Sequence, residues 1–147
     1  MKKIKIVAIL LFSFLLVGCG SKSSITGDTF ASKMTEMNYS IKDVLSNYDY
    51  AVSAYNAYKD EVSVFFLKGK KKYDVEGIFI DEYQNLFNEI GENYDKRISS
   101  GKTWTSLMLK TDENVYYISW ISDSYILIKA PKDKTNEVEK VIKTLGY

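Results

Sequence analysis

Apolar positions recur along the chain with two different periods, and the switches between them mark out the elements. Phe30, Met34 and Met37 fall at i, i+4 and i+7, one stripe of a short helix. Thr26 is placed to cap its start, Ile25 and Phe30 occupy the two positions of a hydrophobic staple, and Asn38 stands where a left-handed residue ends a helix. Three strand-like runs follow. Residues 39–45 put Tyr39, Ile41 and Asp43 on one side, residues 51–58 alternate small with aromatic side chains, and residues 62–67 are rich in β-branched and aromatic ones, as a central strand would be. Lys59-Asp60-Glu61 makes a polar turn between the last two.

Over residues 74–94 the period returns to 3.6. Val75, Ile78, Phe79, Leu86, Phe87 and Ile90 form one stripe, extended by Tyr83 and Tyr94, with Asp81, Glu82, Gln84, Asn85, Asn88 and Glu89 on the other side. Asp74 is the candidate cap, and Gly77 costs this helix about 1 kcal/mol relative to alanine. Residues 95–102 read as a loop with Ser99-Ser100-Gly101 at its tip. Three further strand runs, 103–110, 115–122 and 125–130, are joined by polar connections of hairpin length and predict an antiparallel meander. Pro131 stops the sheet. Val138, Val141, Ile142 and Leu145 then line a final helix, closed by Gly146 and Tyr147.

The order predicts an α+β fold: an antiparallel sheet of about six strands in two β-β-β-α halves, preceded by a short helix, with the helices packed on one face. The two halves suggest a cryptic duplication. The second face of such a sheet is free to be open. An open aromatic face is a binding surface, for which the candidates are Trp104, Tyr116, Trp120, Tyr55 and Tyr58; the alternation does not say which face each one takes.

Composition narrows the chemistry. The chain has no histidine and one cysteine, so Ser/His/Asp and Cys/His catalysis and zinc ligation by Cys or His are excluded. There is no Gly-rich phosphate loop and no nucleophile elbow. Among possible paired carboxylates, Asp81-Glu82 are adjacent on a helix and do not face each other, Asp112-Glu113 falls at a hairpin tip, and Asp43 and Asp49 sit near strand ends, so all read as solvated charge. No metal site, no catalytic residue and no cofactor is expected. The one charge run, Lys68-Gly69-Lys70-Lys71-Lys72, lies between a strand and a helix. It is either a basic patch for anionic headgroups or wall polymers, or a solvated turn. Twelve tyrosines are many for this length; they either stack on sugars or a partner, or fill the half-buried rim of the sheet.

The N-terminus sets the location. Met1-Lys2-Lys3-Ile4-Lys5 is positively charged, residues 6–17 are apolar apart from Ser13, and small residues follow, which is the layout of a secretory signal. Twelve helical residues span about 18 Å against a hydrocarbon core of about 30 Å, too short for a stable crossing. Leu16, Val17, Gly18 and Cys19 resemble the lipobox of bacterial lipoproteins. That resemblance implies removal of residues 1–18, a diacylglycerol on the Cys19 sulfur, a tether over residues 19–24, a single domain over 25–147, and anchoring on the outer face of the cell membrane. Two acyl chains hold such a protein stably. The leader takes three of the 20 basic residues and none of the 19 acidic ones, leaving 17 against 19; near-neutrality argues against nucleic acid as a partner. With its lipobox, its opening Ile25-Thr26-Gly27-Asp28-Thr29-Phe30 and its closing Leu145-Gly146-Tyr147, the chain is similar to small uncharacterised α+β lipoproteins of Gram-positive bacteria. The expectation is a non-enzymatic binding or accessory module for a protein or envelope component. The alternatives are an inhibitor or immunity-type protein that blocks an external enzyme, and a hydrolase built on two carboxylates.

Overall fold

A seven-stranded antiparallel sheet forms the middle of the molecule. The computed structural model describes residues 20–147; the leader 1–18 with Leu16, Val17 and Gly18 of the lipobox, and the lipidation candidate Cys19, lie outside the described residues. In chain order the elements are α1 (Gly27–Glu36), β1 (Ser40–Asp43), a 3-10 turn (Leu45–Asn47), β2 (Ala51–Lys59), β3 (Val62–Gly69), α2 (Lys72–Ile90), β4 (Asp95–Gly101), β5 (Trp104–Lys110), β6 (Asn114–Ile121), β7 (Ser124–Pro131), a second 3-10 turn (Lys132–Lys134) and α3 (Thr135–Leu145). The strands lie in the order β1-β2-β3-β7-β6-β5-β4, every neighbour antiparallel. Two meanders therefore meet side by side along β3 and β7, with Phe66 opposite Ile126 and Val64 opposite Ile128.

Local chemistry sets the ends of the helices. Thr26 Oγ1 accepts a hydrogen bond from the Thr29 amide at 3.1 Å and so caps α1. Asn38 takes the left-handed conformation after it (φ 63°), which lets the Tyr39 amide donate back to the Met34 carbonyl at 2.9 Å. Gly27 is needed at the start of α1, because a Cβ there would come within 2.4 Å of Ser53 Oγ on β2. At the other end of the chain Gly146 (φ 82°) closes α3 and turns Tyr147 back into the core.

The sheet has a core on each side. On the front face Phe30 and Met34 of α1, with Val138, Val141 and Leu145 of α3, pack on Val64, Phe66, Ile126 and Ile128. On the back face Val75, Phe79 and Leu86 of α2 pack on Leu107, Leu109, Tyr116, Ile118, Trp120 and Tyr125.

Four expectations from the sequence are corrected. The described residues form seven strands, not about six, because Asp95–Gly101, within the stretch 95–102 expected as a loop, is the edge strand β4. Six of the seven β4 residues are exposed, so no buried alternation betrays the strand; backbone pairing to β5 holds it. The second half is accordingly β-β-β-β-α. The helices do not share one face: α1 and α3 take the front and α2 the back. The reason is in β6, where every residue after Asn114 is buried; a strand apolar on both sides needs cover on both. Asp74 does not cap α2, which starts at Lys72 after an extended Lys71. Asp74 instead lies in the first turn, where a negative charge suits the helix dipole. The duplication also loses support. A rotation exchanging the antiparallel neighbours β3 and β7 keeps each face of the sheet, so the helices that follow them would share a face, and they do not.

Candidate functional site

On the back face α2 covers β3, β7 and β6, and an open pocket of about 360 Å³ remains beside it. Its walls are Tyr48 and Tyr50 from the turn between β1 and β2, Phe65 from β3, Tyr125 and Leu127 from β7, and Ile78 from α2, with Asn56 and Glu82 as polar members. The rings form a continuous rim. Tyr48 lies 5.5 Å from Phe65 and 5.9 Å from Tyr50 between centroids, and Phe65 lies 6.1 Å from Tyr125.

The turn carrying Tyr48 and Tyr50 is firmly tied. The Val44 amide donates to Ala54 O at 3.0 Å, the Leu45 amide to Asp43 Oδ1 at 2.8 Å, and the Lys70 amide to Tyr50 O at 2.9 Å. Tyr125 is 1% exposed, yet its hydroxyl has no hydrogen-bond partner among the described residues. Burial pushes that hydroxyl well above the ordinary tyrosine range, with Glu82 and Tyr48 adding to the effect, so it stays neutral and can donate or accept. Glu82 Oε1 is 3.8 Å from Lys129 Nζ at the rim.

The front face has a second concavity, a groove of about 460 Å³ where α3 stops short of β4 and β5. Arg97 and Ser99 of β4, Trp104 and Ser106 of β5, Tyr117 of β6, and Glu139 and Lys143 of α3 all reach it. Ser99, Ser106 and Ser119 stand side by side across β4, β5 and β6. Burial pushes the Tyr117 hydroxyl up, opposed by hydrogen bonds with Ser119 and Ser106. Lys22 lies 4.2 Å above the Trp104 ring, and burial there lowers its pKa.

No family model matches the chain, and no curated protein matches it either. Among solved structures it is similar to a GTP binding regulator from Thermotoga maritima, at 13% identity, over 82% of this chain and 84% of that one, with a TM-score of 0.49.

The five aromatic candidates do not form one surface. Tyr116 and Trp120 are buried in the back core, and Tyr55 packs into the front core beside Phe30. Tyr58, 49% exposed, stands on β2, and Trp104 is half-buried at the groove with its indole N–H donating to Gly20 O at 2.9 Å. In the lysine run, Lys68 pairs with Asp123 at 2.9 Å and Lys70 Nζ donates to Asp49 O at 2.6 Å. Lys71 and Lys72 are exposed, with Lys72 5.4 Å from the Trp120 ring. Among the described residues no group of three or more Asp, Glu, His or Cys side chains could hold a metal, and no helix is long and apolar enough to cross a membrane. Of the pocket residues, Tyr48, Tyr50, Phe65, Tyr125 and Asn56 were not singled out by sequence, and Glu82, expected as solvated charge beside Asp81, is half-buried on the pocket wall instead. The available signal was the density of aromatics in Tyr48-Asp49-Tyr50 and Phe65-Phe66, but nothing local says that these segments meet.

Proposed function

We propose that this chain is a membrane-anchored extracytoplasmic lipoprotein whose folded part is a non-enzymatic binding module for an envelope glycan, seated in the back-face pocket. The observation that carries the reading is the Tyr125 hydroxyl, buried and unpartnered on an aromatic-walled pocket. A buried polar group without a partner is a cost that a ligand can relieve. Aromatic rims suit the apolar faces of sugar rings, while Tyr125, Asn56 and Glu82 offer a neutral hydroxyl, an amide and a carboxylate to sugar hydroxyls. The location rests on Leu16, Val17, Gly18 and Cys19.

Two measurements test this. Calorimetric titration of soluble envelope glycan fragments into the protein should give saturable binding, weakened about tenfold in Tyr125→Phe, the worth of one hydrogen bond. Unchanged binding in both Tyr125→Phe and Phe65→Ala sinks the pocket. For the location, Cys19→Ala should move the protein out of the membrane fraction, and an unchanged distribution defeats the anchor.

A second reading has its own observation. Among the described residues no strand pairs with the outer edge of β4, and a protein partner could add a strand there. It predicts that Ile98→Pro, on that edge, abolishes a protein complex while glycan binding stays intact.

A further inference from the structure

Residues 20–24 are laid against one end of the sheet. Trp104 Nε1 donates to Gly20 O at 2.9 Å, Thr103 Oγ1 to Lys22 O at 3.2 Å, and Ser24 Oγ to Asp123 Oδ1 at 2.6 Å. Lys68 Nζ donates to Ser24 Oγ at 3.0 Å and to Asp123 Oδ1 at 2.9 Å. These partners sit at one end of four successive strands: Trp104 faces Ile121, Ile121 faces Ser124, and Ser124 faces Lys68. The position next to Gly20 is Cys19. The segment is a docked strap rather than a free spacer, and it fixes which end of the domain meets the anchor.

That same end gathers cations. Lys70, Lys71 and Lys72 leave β3 for α2, Lys102 turns β4 into β5, and Lys22 lies on the strap itself. From β4 to β3 the row spans about 19 Å at the usual strand spacing. The acidic groups near it are Asp28 in the first turn of α1, which follows the strap, Asp49, whose carbonyl holds Lys70, Asp74 in the first turn of α2, and Asp123, already paired with Lys68. Lys71, Lys72 and Lys102 are exposed. We infer that this end of the sheet rests on anionic lipid headgroups, so that the strands stand up from the membrane and the basic row reinforces the anchor. This rests on the lipid anchor at Cys19 proposed above. Juxtamembrane lysines are attracted to an anionic surface strongly enough to change their time off it about fivefold each.

The test uses the full-length acylated chain in vesicles of phosphatidylcholine alone or enriched in phosphatidylglycerol. A water-soluble amine-acylating reagent is applied and each lysine is read by mass spectrometry. Labelling of Lys71, Lys72 and Lys102 should fall about fivefold on the anionic vesicles, while Lys132 and Lys134, at the far end of β7, should not change. Replacing Lys70, Lys71 and Lys72 with Gln should return Lys102 to its neutral-vesicle rate. Even labelling of both ends, or protection of Lys132 and Lys134 instead, overturns the orientation. So does a Lys102 that stays protected in the triple variant. A chain that fails to float with neutral vesicles removes the anchor and the orientation with it. One that floats but labels evenly removes only the orientation.

Discussion

Among the described residues two helices cover the front of the sheet, leaving a groove over β4 and β5, and one covers the back, and different side chains lie under each. Beneath α1 and α3 the core is mostly Val, Ile, Met and Phe, and most polar groups around it are committed, the Ser53 hydroxyl against Gly27 being buried without a partner among the described residues. Tyr39 and Lys59 both donate to Glu137 Oε1, at 3.2 and 2.9 Å, Lys33 Nζ donates to Thr144 O at 2.6 Å, and the Tyr147 hydroxyl donates to Ser124 Oγ. Beneath α2 aromatic residues dominate the margins, and Tyr125 has no partner among the described residues. The cause is width. Seven strands span about 29 Å between the outer two, and a helix is about 10 Å across. Neither face is covered completely: the two front helices leave β4 and β5 open at the groove, and the single back helix leaves a gap that the Tyr48 and Tyr50 turn rims without filling. A binding pocket can thus arise from missing cover rather than from a dedicated loop.

Phe65 and Phe66, neighbours on opposite faces, give the sharpest way to break this comparison. Phe66 is fully buried in the front core and Phe65 half-buried on the pocket wall. Phe66→Ala should cost about 3–5 kcal/mol, and Phe65→Ala about 1–2 kcal/mol, since little transfer is lost from an open site. Equal losses in urea unfolding would mean that the back is as tightly packed as the front.

Next in size is Glu137→Gln, expected to cost about 1 kcal/mol. The hydrogen bond from Lys59 lowers the Glu137 pKa, against burial that raises it, with the Lys59 charge and the Tyr39 hydroxyl adding to the lowering. A lowered folded-state value gives stability that is present above the unfolded glutamate value and lost as pH falls through the folded one. Wild type and variant should therefore differ at neutral pH and converge in acid. A difference that persists well below the glutamate range would show the pair to be irrelevant.

Gly77 sits exposed in α2 with nothing within 4 Å of where a Cβ would be. Gly77→Ala should therefore stabilise by about 0.5–1 kcal/mol, tightening the looser face; a loss of stability would mean that α2 does not run through it as described. Smallest of all, Tyr125→Phe should change stability by less than about 0.5 kcal/mol, while weakening glycan binding. A large loss of stability would reveal a hidden partner for the hydroxyl.

Strong periodicity made most elements legible. α1, α3 and the five longer strand runs fall where the apolar spacing puts them, and Thr26, Asn38 and Gly146 act at the helix ends as their types suggest. β4 was hidden because Asp-Lys-Arg-Ile-Ser-Ser-Gly buries almost nothing and is held through its backbone. The facing of Tyr116 and Trp120 was hidden for the opposite reason: β6 is apolar on both sides, so alternation carries no sign. The pocket was the least legible feature. Tyr48, Phe65, Glu82 and Tyr125 come from four elements and share no local pattern.

The pairing of β3 with β7 also has a consequence in time. Every other neighbouring pair in the sheet is consecutive in the chain, whereas Ser63 must wait for Lys129. As the chain folds, the first meander has one side of its most apolar strand bare until the last strand joins it. Chains truncated at Ile121 should then show β3 amides open to hydrogen exchange and a tendency to self-associate; protected amides would mean that β3 finds another partner first.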